Sequence, residues 1–170
     1  MEHRPVTVTV VVPTKNAERT LAACLASVRA QTYPQVELVV VDNSPTGTTI
    51  AIAKKYTDHA VTWGPERSAQ RNHGWRIGSG AYVAFIDADM VLNPHIVAEA
   101  VEAFARDAGL GALVIPELAF GVGFLARCRE LQSEADVLLR AQRLTRGSVA
   151  DGFLEAMDAL LAGARGSDPS

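Results

Sequence analysis

Two carboxylates separated by one alanine close an apolar run in Tyr82-Val83-Ala84-Phe85-Ile86-Asp87-Ala88-Asp89-Met90. The run is rich in strand formers and predicts a buried strand. Asp87 and Asp89 then sit at its C-terminal end, where open α/β sheets place their ligands. Carboxylate oxygens are hard ligands for Mg²⁺ or Mn²⁺, and such ions are usually held by one or two protein carboxylates plus substrate phosphates. The pair therefore proposes a metal–diphosphate site. An Asp after a strand also serves as a turn former or helix cap. Here Asn93, with Pro94 at the first helical position, already supplies the cap of the next helix, which leaves Asp87 and Asp89 without a structural task.

Two further strand ends are polar: Pro13-Thr14-Lys15-Asn16 after the first strand and Asp42-Asn43-Ser44 after the second. Each alone is ordinary loop chemistry. In a parallel sheet, however, these ends converge with Asp87-Ala88-Asp89 on one rim, where a single ligand can touch all of them. Arg67-Ser68-Ala69-Gln70-Arg71-Asn72 adds arginines, whose forked donors and permanent charge suit a diphosphate. A solvated helix face is the plainer description of these arginines. Asn72 and Gly74 beside them favour a close ligand approach.

The elements that must position these residues follow from punctuation and periodicity. Val6 to Val12 is nearly all β-branched and ends at Pro13, which predicts a buried parallel strand. Glu18 to Ala30 has helical spacing of Leu21, Ala22, Leu25 and Val28. Val36 to Val41 predicts a second strand, Pro45-Thr46-Gly47 a turn into a helix through about Tyr56, and Ala60 to Trp63 a third strand. A polar helix over Ser68 to Ile77 ends at Gly78-Ser79-Gly80, Pro94 to Arg106 forms the helix after the Asp pair, and Ala112 to Ile115 is a fifth strand stopped by Pro116. Strands alternating with helices predict an α/β fold, a three-layer sandwich around a mostly parallel sheet with right-handed crossovers. Beyond Pro116 the character changes: Phe124 to Arg140 and, more weakly, Gly152 to Leu161 read as helices.

Composition bounds the rest. At 170 residues and 48% hydrophobic the chain predicts one domain with a substantial core. A net charge of −3 and 6% aromatic residues argue against a nucleic-acid partner. Cys24 and Cys128 fall in predicted helices without metal-ligand spacing and read as reduced thiols of a cytoplasmic protein. The N-terminal residues do not resemble a signal peptide, and no apolar stretch predicts a transmembrane segment. There is no G-x-G-x-x-G after the first strand, no P-loop, no zinc H-x-x-x-H pair and no G-x-S-x-G elbow. Of the scattered histidines, His3, His59, His73 and His95, only His73 lies near the proposed site.

The order of these motifs resembles the family 2 glycosyltransferases of GT-A fold. The matching pieces are Val10-Val11-Val12-Pro13-Thr14-Lys15-Asn16, Glu37-Leu38-Val39-Val40-Val41-Asp42-Asn43-Ser44, Arg71-Asn72-His73-Gly74, and Gly80 through Asp89. The ordered set, rather than any one piece, carries the resemblance, which spans roughly Val6 to Ala105. It implies a nucleotide-diphosphate-sugar donor and a divalent metal, Mn²⁺ or Mg²⁺. By motif position Pro13, Thr14 and Asn16 border the nucleotide, Asp42 bonds the base, and Arg71 with Asn72 lies near the base or diphosphate. Asp87 and Ala88 then face the ribose or sugar, and Asp89, with Asp87, holds the metal.

The resemblance also implies an inverting transfer with a carboxylate base downstream of the metal motif. Gly152-Phe153-Leu154-Glu155 looks like the family's Gly-Phe-Asp-Glu segment, with Leu154 where an Asp is common, and no Glu-Asp pair follows. Glu117, Asp151 and Glu155 are the candidate bases, each equally describable as a surface carboxylate. The expected organisation is a single domain over 1–170. Residues 1–116 form its nucleotide-sugar-binding half, 117–162 a shortened helical acceptor part, and 163–170 a frayed tail. Two readings follow: a compact transferase acting on a glycan, lipid or small-molecule acceptor, and a degenerate domain that binds nucleotide-sugar without transferring it. A nucleotidyltransferase would want glycines after the first strand, and a haloacid-dehalogenase phosphatase would place its Asp-x-Asp early. Arg127, Arg129, Arg140, Arg143 and Arg146 raise a peripheral contact with a membrane surface. Glu130, Glu134 and Asp136 among them favour a solvated face. The same helical end is where a homo-oligomer would form if dimerisation built the acceptor site.

Overall fold

A computed structural model describes residues 6–115. Along the chain run β1 (Val8–Thr14), α1 (Leu21–Arg29), β2 (Val36–Asp42), α2 (Thr48–Ala53), β3 (Ala60–Thr62), α3 (Arg67–Ile77), β4 (Tyr82–Phe85) and α4 (Ile96–Arg106). The chain divides after Val101, and the unit before that point holds the four strands found among the described residues.

Every strand pairing is parallel, in the order β3-β2-β1-β4. The chain therefore steps outward from β1 to β2 to β3, then returns to the other side of β1 for β4. Between β1 and β4 the winding reverses. Parallel α/β sheets open a crevice at such a reversal, at the carboxyl ends of the strands. Helices cover both faces, which gives the expected three layers. Val8, Val10 and Val12 of β1 join Leu38 and Val40 of β2 in a core with Leu21, Cys24, Leu25 and Val28 of α1. Val11, Val39 and Val41 face the other way with Phe85. β1 and β2 are thus buried on both faces, which is why they read as continuous apolar runs rather than alternating ones.

On that second face the packing of α3 is set by a missing side chain. A Cβ on Gly74 would fall inside the van der Waals surface of Val11 Cγ1 and 3.2 Å from Val41 Cγ2. Gly80 is equally confined where the chain leaves α3, since a Cβ there would lie 2.5 Å from the Thr9 backbone nitrogen. The same crossover is tied by Glu37. Its Oε2 accepts the Thr9 hydroxyl at 2.5 Å and the Ser79 N–H at 2.7 Å, and the Gly80 N–H donates to Thr9 Oγ1 at 2.9 Å. Burial alone would raise the Glu37 carboxyl, but the hydrogen bonds from Thr9 and Ser79 outweigh it and leave its pKa lowered.

Several expectations need correction. β1 runs through Pro13 to Thr14 instead of stopping at Pro13. Thr7 and Val11 turn their carbonyls toward β4 whereas Val8 turns its N–H toward β2, so Pro13, in step with Val11, lacks its donor on the β4 side. β4 has already ended there, at Phe85 opposite Val11, and the ladder loses nothing. α1 starts at Leu21 rather than Glu18, and Cys24, not Ala22, belongs to its buried stripe. α2 stops at Ala53 because Lys55 and Tyr56 bond carbonyls three residues back, a tightened last turn. α4 begins at Ile96, with Asn93 Oδ1 accepting the His95 N–H as the cap reading requires. Ala112 to Ile115 forms no strand: a short apolar run becomes a strand only when a ladder receives it.

Gly74→Ala is expected to destabilise the fold by about 1–3 kcal/mol through overpacking against β1 and β2, despite alanine's better helix propensity. Urea unfolding would show a lower midpoint at unchanged slope. An unchanged or raised midpoint would mean that α3 is not seated as described.

Candidate functional site

The polar strand ends do meet at the carboxyl edge. Thr14 and Asp42 are register partners on β1 and β2, and the Asn43 N–H continues the ladder onto the Thr14 carbonyl at 2.9 Å. Above them Gln70 of α3, itself buried, donates both amide hydrogens, to the carbonyls of Thr14 and Val41, each at 2.7 Å. One side chain thereby ties α3 to the ends of both central strands.

Beyond β4, Asp87 to Met90 forms a tight turn closed by the Met90 N–H on the Asp87 carbonyl at 3.1 Å. Ala88 and Met90 pack toward the α1-side core. The two carboxylates have different fates. Asp87 Oδ1 takes Arg71 Nη2 at 2.9 Å, and its Oδ2 takes Arg67 Nη1 at 3.2 Å. Asp89, central in the turn, is exposed and makes no hydrogen bond or ion pair among the described residues. Among the described residues two buried polar atoms of this edge also lack partners: Arg71 Nε and Thr14 Oγ1. Buried polar atoms are rarely left so.

The third corner is built around Asp42, 1% exposed. The Ser44 hydroxyl donates to Asp42 Oδ1 at 2.6 Å and accepts the Asn16 N–H at 2.8 Å. Asn16 stands at φ 52°, a left-handed conformation that Asn tolerates better than most residues. Thr49, buried behind Ser44 at 3.0 Å, donates its hydrogen to Glu18 Oε1 at 2.8 Å. Under the Asp turn, the buried Cys24 thiol points to the Asp87 carbonyl at 3.6 Å, and the Asp87 N–H points to Met90 Sδ at 3.4 Å.

No group of three or more His, Cys, Asp or Glu gathers among the described residues as a metal cage. A Mg²⁺ or Mn²⁺ ion held by one or two carboxylates and completed by ligand phosphates and water needs none. The unpaired Asp89 carboxylate fits that donor set. Asp87, with both oxygens on arginines, fits it less well.

A family model described as Glycosyl transferase family 2 matches residues 9–146. The chain belongs to this family. Among curated relatives it is 39% identical over 88 residues to glycosyltransferase GlyA of Streptococcus pneumoniae, covering 48% of this chain and 13% of GlyA. It is 31% identical over 93 residues to the uncharacterized glycosyltransferase YibD of Escherichia coli, covering 50% and 26%. The chain thus spans well under half of these relatives. Among solved structures, TarS of S. aureus in complex with UDP superposes with TM-score 0.54 at 26% identity over 67% of this chain and 39% of TarS. The mannosyltransferase PcManGT of Pyrobaculum calidifontis, in complex with GDP-Man and Mn²⁺, gives 0.55 at 28% over 66% and 37%. The fold is of the GT-A type.

Within the family 2 domain, Pro13, Thr14, Asn16, Asp42, Arg71, Asp87, Ala88 and Asp89 lie at or just beyond the carboxyl ends of β1, β2 and β4 or on the helix fastened to them. Asn72 follows Arg71 on α3, and its side chain makes no hydrogen bond among the described residues. Two readings change. Asp87 has a structural task, its arginine pairs, and Gly74 makes its close approach to the sheet, not to a ligand. His73 stacks on Trp63, ring centroids 4.3 Å apart. Gln70 and Ser44 lie inside motifs that the sequence points to, but their roles, like those of Thr49 and Glu18, exist only once distant strand ends are side by side. Glu117, Asp151 and Glu155, with the helices expected after Pro116, lie outside the described residues. Among the described residues no helix is long and apolar enough to cross a membrane.

Burial, aided by the charges of Asp89 and Asp87, pushes the Cys24 thiol up to about 12. Since the thiolate is the reactive form, iodoacetamide at about pH 8, near the ordinary thiol range, should leave Cys24 unmodified in the folded chain. It should alkylate Cys24 once urea unfolds the chain. Peptide mapping by mass spectrometry reads both states, and rapid labelling of the folded chain would contradict the packing of α1 beneath the Asp turn.

Proposed function

We propose that this chain transfers a sugar from a nucleotide-diphosphate-sugar donor, and that the carboxyl edge between β1 and β4 is its donor site. The observation that carries the reading is the contrast within the Asp pair: Asp87 is held by two arginines while Asp89 is exposed and unpaired on the same turn. Such an arrangement keeps one carboxylate in reserve for a cation beside a cluster of positive charge. The relatives support it, since TarS has been solved in complex with UDP and with UDP-GlcNAc, and PcManGT in complex with GDP-Man and Mn²⁺.

In this reading Asp42 accepts a hydrogen bond from the base at the closed end of the site. Pro13, Thr14 and Asn16 line the nucleoside, and a ligand hydroxyl satisfies Thr14 Oγ1. Arg71, aided by Asn72, offers its unpartnered Nε to the diphosphate. Asp87 and Ala88 border the ribose or sugar. Asp89 would hold a Mn²⁺ or Mg²⁺ ion, which would supply charge neutralisation to a departing diphosphate. Arg67 and Arg71 lie close enough to share that task, because both already reach the Asp87 carboxylate. Residues 1–116 are then the donor half and 117–162 the acceptor part of an inverting enzyme, with Glu117, Asp151 and Glu155 as the candidates for its base.

Calorimetric titration of UDP, GDP and dTDP, with Mn²⁺ and with chelator, tests the donor site. At least one should bind with Mn²⁺ and weaken ~10-fold or more in chelator, and Asp89→Ala should abolish the difference, ~10-fold being about 1.4 kcal/mol. Release of nucleoside diphosphate from the matching sugar donor would then separate transferase from binding domain. Failure of every nucleotide to bind in either condition would remove the reading.

A further inference from the structure

The corner around Asp42 contains more hydrogen-bonding apparatus than is needed to close a loop. Four polar side chains from three separate segments line up there: Glu18, Thr49, Ser44 and Asp42. Thr49 and Asp42 are buried. The direction of each bond can be assigned by counting hydrogens. A hydroxyl has one hydrogen to give. The hydrogen of Thr49 goes to Glu18 Oε1 at 2.8 Å, so Thr49 has none left for Ser44. The Ser44 oxygen already receives the Asn16 N–H at 2.8 Å. Its own hydrogen can go to Asp42 Oδ1 at 2.6 Å or Thr49 Oγ1 at 3.0 Å, and the shorter bond to the charged acceptor wins.

From this we infer that Ser44 is a positioning residue for nucleobase selection, fixing the Asp42 carboxylate in one orientation as a hydrogen-bond acceptor. The inference rests on the donor-site reading above, in which Asp42 meets the base. It deepens that reading by naming the chemical class of base. A carboxylate held this way rewards a base with a ring N–H on its pairing edge, as uracil, thymine and guanine have. It meets a ring lone pair in cytosine and adenine, where it is repelled. The exocyclic amines of cytosine and adenine lie beside that position, not at it, and a site built to accept a hydrogen bond at one point rejects ligands that cannot donate one there, because its buried acceptor is left unpaired.

Ser44 also links the two loops that would enclose the base. The Asn16 N–H fastens the turn after β1 to the turn after β2 through this one hydroxyl. A purely structural role would predict that its loss loosens the pocket for every nucleotide alike. A positioning role predicts that discrimination between bases is what falls.

The test compares UDP, GDP, CDP and ADP by calorimetry in the presence of Mn²⁺, on the natural chain and on Ser44→Ala and Ser44→Thr. The natural chain should favour its better ligand among UDP and GDP over both CDP and ADP by ~10- to 100-fold, the range of a hydrogen bond to a charged group. Ser44→Ala should reduce that ratio to ~3-fold or less, and Ser44→Thr, which keeps the hydroxyl, should restore it. Ser44→Cys, with its weaker donor, replaces the alanine variant if that one does not fold. Equal binding of all four by the natural chain overturns the inference. So does a uniform loss in Ser44→Ala that leaves the ratio intact, and in both cases the donor site itself still stands. Absence of binding by any nucleotide removes donor site and inference together.

Discussion

Everything at the carboxyl edge depends on how tightly α3 lies on the sheet. Gln70 and Gly74, one helical turn apart, are the buried residues of that helix. Gly74 lets the helix backbone approach Val11 and Val41, and Gln70 spends its two amide hydrogens on the carbonyls of Thr14 and Val41. An otherwise polar helix is thereby held without a large apolar stripe. Without the approach at Gly74, Gln70 would stand off from the strand ends, and the arginines on either side of it would lose their reach to Asp87.

The charges of the edge follow from that seating. Arg67 and Arg71 converge on Asp87, whose negative charge offsets one of the two positive ones. Arg71 also carries a buried Nε without a partner among the described residues, and Asp89 stands exposed and unpaired on the turn that bears Asp87. In the proposed function, a diphosphate and its divalent cation would meet these opposite charges. The opposite end of the strands is tied off separately by Glu37, Thr9 and the crossover through Gly80, so the polar groups there are spent on structure.

How much of this could be read from sequence divides along a clear line. The β-branched runs of β1 and β2 announced buried parallel strands, and parallel connectivity alone brought Thr14, Asp42 and Asp87 to a common edge. The Asn93 cap was legible for the same reason, being local. Pairings between distant segments were not. The 16 residues separating Arg71 from Asp87 hide an ion pair that makes the two Asp residues unequal. The glycine of Arg71-Asn72-His73-Gly74 suggested an approach to a ligand because its true neighbours, Val11 and Val41, are far away in sequence. Ala112 to Ile115 had strand composition but no ladder, a fact that composition does not contain.

In the proposed function the crevice between β1 and β4 receives a cation and a nucleoside diphosphate together. Paramagnetic broadening by Mn²⁺ of the backbone amide signals, recorded on ¹⁵N-labelled chain with and without UDP or GDP, addresses it directly. Broadening is expected to centre on Asp87 to Met90 and to extend to Thr14 and Asn16 when nucleotide is added, with Glu37 and Gly78 to Gly80 at the far end of the strands unaffected. Broadening centred on another surface, or none at Asp89 with either nucleotide present, would contradict it.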